Sequence, residues 1–170
     1  MCVIIAKTKT QKAPKIETLE NCFINNPDGA GFMYTDNKKV IIDKGYMTKD
    51  DFLKRYKYLL KKYNNFENKS LIVHCRISTS GKIEKAFCHP YAITTDFLKM
   101  KQIRIKCNIA LAHNGILTDY TPKDKNTNDT MQYIQKFIFK KYKQKRLFKK
   151  DTIEMIKETR LKICDSNTKR

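Results

Sequence analysis

Three positions in this sequence carry groups suited to opening an amide bond. Cys2 follows Met1 at the head of a short apolar run, Val3 to Ala6. Removal of Met1 would leave a thiol and a free α-amine on one residue. An α-amine titrates at about 7.7 to 8.0, near working pH, so it can take the thiol proton directly or through a water. Nucleophile and base then share a residue. The plain alternative is a small buried hydrophobe on a strand. Asn114 and Gly115 close a second apolar run, Ile109 to His113. A side-chain amide and an unobstructed backbone N–H form a pair of donors that suits a developing oxyanion; the alternative is an ordinary Asn-Gly turn. Arg76 ends a third run, from Leu71. A guanidinium there is costly to bury unless it meets a carboxylate, and the plain reading is a structural salt bridge. The dipeptides His74-Cys75 and Cys88-His89 invite a zinc site. Adjacent strand residues point to opposite faces, so neither pair easily supplies two ligands. No metal or cofactor is expected.

Strands and turns must hold these groups. Cys2 to Ala6 reads as a buried strand, and Ile16 to Ile24 as a short helix with Ile16, Leu19 and Phe23 on one side. The Gly-containing loop Asn25 to Gly31 leads into a strand at Phe32 to Tyr34. Asp36 to Lys39 is a hairpin turn, with Val40 to Ile42 as the returning strand. Thr48 caps a helix with an acidic first turn, and Phe52, Leu53, Tyr56, Leu59, Leu60 and Tyr63 keep helical register. Leu71 to Arg76 is a central strand. Ala86 to Ile93 is extended, and Ile103 to Ile105 and Ile109 to His113 are two more strands. A polar loop covers Thr118 to Asn128. Asn128 or Asp129 caps a helix through Ile134, Phe137 and Ile138, and a last helix runs from Asp151 to about Ile163. The tail from Asp165 to Arg170 is frayed. These elements predict one α+β domain over residues 2–164, with a basic helical C-terminal part from about residue 130.

A chain of 170 residues with 41% hydrophobic and 11% aromatic content has enough apolar material for a core and is not a disordered tail. No apolar run approaches the roughly 20 residues that span a bilayer, and no basic n-region precedes the first apolar patch. The expectation is a cytoplasmic protein whose six cysteines are thiols. A net charge of +19 attracts nucleic acid, acidic partners or anionic substrates. Lysine outweighs arginine among the basic residues, which suits solvation better than bidentate phosphate reading.

The blocks fall in a particular order: Cys2, Asp28-Gly29-Ala30-Gly31, His74-Cys75-Arg76-Ile77-Ser78-Thr79-Ser80-Gly81, His89-Pro90-Tyr91, Leu111-Ala112-His113-Asn114-Gly115 and Asn128-Asp129-Thr130. That series resembles the class II glutamine amidotransferases. These are the N-terminal-nucleophile glutaminase domains found in glucosamine-6-phosphate synthase and amidophosphoribosyltransferase, and the stand-alone members look closest. The likeness spans about three quarters of the chain, Cys2 to Thr130. It implies that Cys2 attacks the glutamine carboxamide to form a γ-glutamyl thioester, releasing ammonia before water cleaves the thioester. It further implies that Arg76 holds the α-carboxylate, Asp129 the α-amine, and Asn114 and Gly115 the oxyanion, with Thr79 and His89 lining the pocket. The implied fold is a four-layer αββα sandwich of two mostly antiparallel sheets, here abbreviated.

Two departures set further expectations. The family usually has Gly after the nucleophile, and Val3 would narrow the approach to the Cys2 amine. The chain ends soon after Asp129, so the second sheet is either abbreviated or completed by a partner. With no synthase domain after Thr130, ammonia would pass to a separate acceptor enzyme. Phe137 to Lys150 would serve as a docking surface for an acidic partner, or simply as a solvated helix face over a buried aromatic stripe. An acceptor that amidates a nucleobase precursor would suit the basic field. The rival readings are an amidohydrolase acting on another amide, and an inactive protein of the same fold that binds nucleic acid or an acidic partner.

Overall fold

β-Branched and aromatic runs assemble a five-stranded antiparallel sheet in the order β1-β4-β2-β3-β6. Its strands are β1 (Val3–Lys7), β2 (Ala30–Asp36), β3 (Lys39–Tyr46), β4 (Leu71–Cys75) and β6 (Arg104–Cys107). β2 and β3 form the hairpin expected around Asp36 to Lys39. Asn37 and Lys38 hold φ of 44° and 57° there, the left-handed pair whose twist matches the flanking strands. A second antiparallel sheet, in the order β5-β7-β8, contains β5 (Tyr91–Ala92), β7 (Ile109–His113) and β8 (Leu161–Asp165). This computed structural model describes residues 1–145, 147, 149 and 161–165.

Alternation along the strands sorts side chains into three apolar clusters. Phe32, Tyr34, Leu71, Val73 and Cys75 face helices α1 (Ile16–Ile24) and α2 (Lys49–Lys62), meeting Leu19, Phe23, Phe52, Tyr56 and Leu59. The neighbouring residues Met33, Ile42 and Ile72 turn to the other side, where they meet Ala92, Ala110 and Ala112 of the smaller sheet. Three alanines leave room for the two sheets to approach closely. The opposite face of the smaller sheet, Tyr91, Ile109 and Leu111, packs on Met131, Tyr133, Ile134 and Ile138. α2 begins as the sequence predicts, with Thr48 Oγ1 accepting a 3.3 Å hydrogen bond from the Asp51 N–H.

After a short helix α3 (Phe97–Lys101), capped by the Asp96 carboxylate, the chain reaches α4 (Asp129–Tyr133). Asn128 is the N-cap, its Oδ1 accepting from Met131 N–H at 2.9 Å. The helix continues through a π-helical turn, Ile134–Ile138, into α5 (Phe139–Lys143). Phe137, Phe139, Tyr142 and Leu147 pack into the apolar cluster beneath this segment, so its aromatic stripe belongs to the core while Lys136, Lys140 and Lys143 are exposed. No helix among the described residues is long and apolar enough to cross a membrane.

Three expectations need correction. Ala86 to Ile93 is not one extended stretch: a 3-10 turn at Lys85–Phe87 precedes a cis His89–Pro90 bond and the two-residue β5. The last helix was expected to reach about Ile163. Residues 161–163 instead belong to β8, where pairing with β7 overrides local helical propensity; residues 151–160 lie outside the described residues. Asp165, expected at the start of a frayed tail, is the last residue of β8 and pairs with Ile109.

Candidate active site

The strand pattern brings the chemically suited residues to one end of the space between the sheets. In β4, Cys75 faces the helices, so His74 and Arg76 face the smaller sheet. In β7, Ala110 and Ala112 face the larger sheet, and continuing the alternation puts Asn114 on that same inner side. β1 is antiparallel to β4, pairing Val3 with Cys75 and Ile4 with His74. The N-terminal end of β1 therefore lies beside the C-terminal end of β4. The two sheets are tied together there by His74, whose Nε2–H donates to the His113 carbonyl at 3.1 Å.

Cys2 is half-buried, with its thiol against the turn that follows β4. Sγ donates to Ile77 O at 3.2 Å and accepts from Ile77 N–H at 3.3 Å. Val3 shares the face of Cys75, toward α1 and α2, and so points away from the inner side that carries Ile4 and His74. Its bulk does not occupy the inter-sheet side of the strand.

Arg76 is 3% exposed and pairs with no carboxylate among the described residues, so the structural salt bridge is not what holds it. Its own loop does. Nη1 donates to Lys82 O, and Nη2 donates to Ser78 Oγ and Ser80 O, each at 2.8 Å. A guanidinium has five N–H donors, so these three bonds leave two for a ligand. The Ser78 N–H in turn donates to Asp28 Oδ2 at 2.8 Å, which fixes the loop against the turn before β2.

Asp129 is 6% exposed and likewise has no cationic partner among the described residues. Its Oδ2 accepts from Leu117 N–H at 2.9 Å and its Oδ1 from Thr130 N–H at 2.7 Å. Ser80 joins the two charged residues: its carbonyl holds Arg76, and its Oγ accepts from the Asp129 N–H at 3.4 Å. Two buried charges of opposite sign thus sit on one connected framework without neutralising each other.

The side chain of Asn114 makes no hydrogen bond among the described residues, and its Oδ1 is buried. Gly115 has φ of 144°, and an added Cβ would come within 3.2 Å of His113 Nε2. Only glycine fits that bend without strain. Thr79 is exposed and makes no hydrogen bond among the described residues; the polar work of its loop falls to Ser78 and Ser80.

His89 is buried, its ring 4.4 Å from that of His74 and 4.7 Å from that of Tyr91. Both of its ring nitrogens, and His74 Nδ1, are buried without a partner among the described residues. Burial pushes the His74 imidazole down to about 3, with Arg76 and His113 adding to the push and the His113 carbonyl opposing it. Burial also holds His89 well below its ordinary value, helped by the neighbouring His74, His113, Arg76 and Lys44. Lys44 completes the group. Fully enclosed, it donates to Met100 O at 2.8 Å and Ala86 O at 3.1 Å, and lies 3.9 Å from the Tyr91 ring centre. Burial lowers its amine well below the usual range. Lys44 and the role of Ser80 are not apparent from sequence: alternation within β3 would have turned Lys44 inward, but nothing local says what it meets. Among the described residues no cluster of His, Cys, Asp and Glu could hold a metal ion.

No protein-family model matches the chain, and a search of curated proteins finds no match.

Proposed function

We propose that the chain is a glutaminase of the class II amidotransferase type, with an abbreviated four-layer αββα fold and Cys2 as nucleophile. One observation carries the reading: near the Cys2 thiol lie a buried guanidinium and a buried carboxylate, each without a counter-ion among the described residues, with Ser80 bonded to the Arg76 guanidinium and to the Asp129 backbone N–H. Two unpaired buried charges cost several kcal/mol. An α-amino acid, with its carboxylate and ammonium on one carbon, offsets both costs at once. That pairing favours glutamine over an amide lacking an amino-acid end.

With glutamine held by Arg76 and Asp129, its carboxamide reaches Cys2 Sγ. The Cys2 α-amine, free once Met1 is removed, takes the thiol proton as sulfur attacks the carbonyl carbon. The resulting oxyanion accepts hydrogen bonds from the Asn114 amide and the Gly115 N–H. The ammonium passes its proton to the leaving nitrogen, ammonia departs, and a γ-glutamyl thioester remains. The amine then removes a proton from water, which attacks the thioester to give glutamate and restore the thiol. Ammonia passes to an acceptor enzyme.

The test is glutamate release by the purified protein and by Cys2→Ala, with the N-terminus of each defined by intact mass. Turnover that requires both Cys2 and the loss of Met1 supports the reading. Turnover that survives Cys2→Ala, or its absence from correctly processed protein, refutes it.

A further inference from the structure

A basic track lies along α2, built from residues with no part in the glutaminase proposal. A cleft of about 700 Å³ runs between α2, the end of β3 and the start of β6, lined by Lys54, Arg55, Tyr58, Lys85, Ile103 and Arg104 among others. It shares Lys54 and Tyr58 with a second cleft of about 570 Å³ that continues past Lys57 and Lys61. The two together form one path across the helix.

Its charges are unbalanced. Lys44 also lines the first cleft, but its amine is turned inward to Met100 and Ala86; beside it, three carboxylates, Asp43, Asp50 and Asp51, face six cations: Lys54, Arg55, Lys57, Lys61, Lys85 and Arg104. Asp43 is buried and serves two of them, Arg55 at 2.6 Å and Arg104 at 3.3 Å. Lys54, Lys57, Lys61 and Lys85 have no ion pair among the described residues, and all four are exposed. Tyr58 stands among them, 47% exposed, with the Arg55 guanidinium 4.6 Å from its ring centre. An exposed aromatic backed by an arginine is a stacking platform, and a row of unpaired lysines follows a phosphate backbone.

We infer that this track binds single-stranded nucleic acid, phosphates on the lysines and Arg104, a base on Tyr58. Exposure of the lining residues favours a polymer lying on the surface over an enclosed mononucleotide. Lysines act as point charges that hold a backbone without reading its sequence. The presence of Tyr58 distinguishes an unpaired base from an acidic polypeptide, which has nothing to stack there.

The experiment is fluorescence anisotropy of the full chain with a labelled dodecathymidylate across a salt series. Four lysines and Arg104 predict a log–log salt slope of about −3.5. Lys54→Gln/Lys57→Gln/Lys61→Gln removes three contacts, so the slope falls to about −1.4 and affinity at 0.1 M salt drops by roughly 100-fold. Tyr58→Ala weakens the oligonucleotide about tenfold while leaving the slope unchanged. The control is Lys123→Gln/Lys125→Gln/Lys136→Gln, an equal loss of charge at exposed lysines outside the track; it changes affinity by less than threefold. An equal effect of the control, no binding at 50 mM salt, or polyglutamate competing as well as oligonucleotide at equal charge would each overturn the inference. All arms use binding alone, so their outcome is separate from that of the glutaminase test.

Discussion

Lowering the pH from 7.5 to 5 will destabilise this protein through its buried imidazoles. His74 moves from an ordinary value of 6.5 to about 3 on folding, because burial in a site that already holds Arg76 penalises its charged form. The unfolded chain therefore binds a proton below pH 6.5 that the folded chain refuses. The stabilisation is complete above 6.5 and is lost as the pH falls from there toward 3. At pH 5, one and a half units below the unfolded value, His74 alone costs about 2 kcal/mol. His89 shifts in the same direction for the same reason and adds to the loss. Against a total stability of roughly 5 to 15 kcal/mol this is a large fraction. The assay is urea unfolding followed by circular dichroism at pH 7.5, 6 and 5, at fixed ionic strength. With an m-value of about 2 kcal/mol/M, the midpoint drops by about 1 M or more between the extremes. His74→Asn, whatever its own stability, shows a shallower dependence on pH. A midpoint that stays flat between pH 7.5 and 5 would refute the assignment of these rings as buried and neutral.

Three further outcomes test the site and the fold. Arg76→Gln raises KM for glutamine by roughly 100-fold with a smaller change in kcat, and Arg76→Lys fails to restore it because an ammonium lacks the planar fork; steady-state kinetics separates the two constants. Asn114→Ala lowers kcat by about 100- to 1,000-fold with little change in KM, the pattern for a donor that acts in the transition state, read from the same assay. Gly31→Ala places a methyl group 2.2 Å from the His89 carbonyl oxygen and 2.6 Å from Lys44 Cβ. That clash with backbone costs about 3 kcal/mol, seen as a lower thermal midpoint in differential scanning calorimetry.

Local pattern revealed the elements that are long or well capped. The helix after Thr48 and the hairpin at Asn37-Lys38 are stated by side-chain chemistry within a few residues, and both stand in the structure. Ile16–Ile24 has the expected bounds as well. What escaped depends on distant partners. α3 has only five residues, too few to show a period, and rests on the Asp96 cap. Leu161 to Ile163 follows a helix-like stretch and becomes strand only because β7 has a free edge. In the candidate site, the types and order of Cys2, Arg76, Asn114 and Asp129 were visible along the chain. The bond network was not. Arg76 was expected to need a carboxylate, yet three acceptors from residues 78–82 hold it. Contact between the rings of His74 and His89 depends on β4 meeting the segment before β5, which no local pattern states.

The order β1-β4-β2-β3-β6 leaves β1 at an edge, with β4 as its only neighbour in that sheet among the described residues. During synthesis β1 has nothing to pair with until β4 leaves the ribosome, some 75 residues after Cys2. At about 5 to 20 residues per second, that interval is roughly 4 to 15 s. Throughout it the first residues lack the strand they pair with. Only afterwards does Cys2 dock against Ile77. The topology thus makes docking of the Cys2 thiol a late event, one that waits for β4 and the turn that follows it.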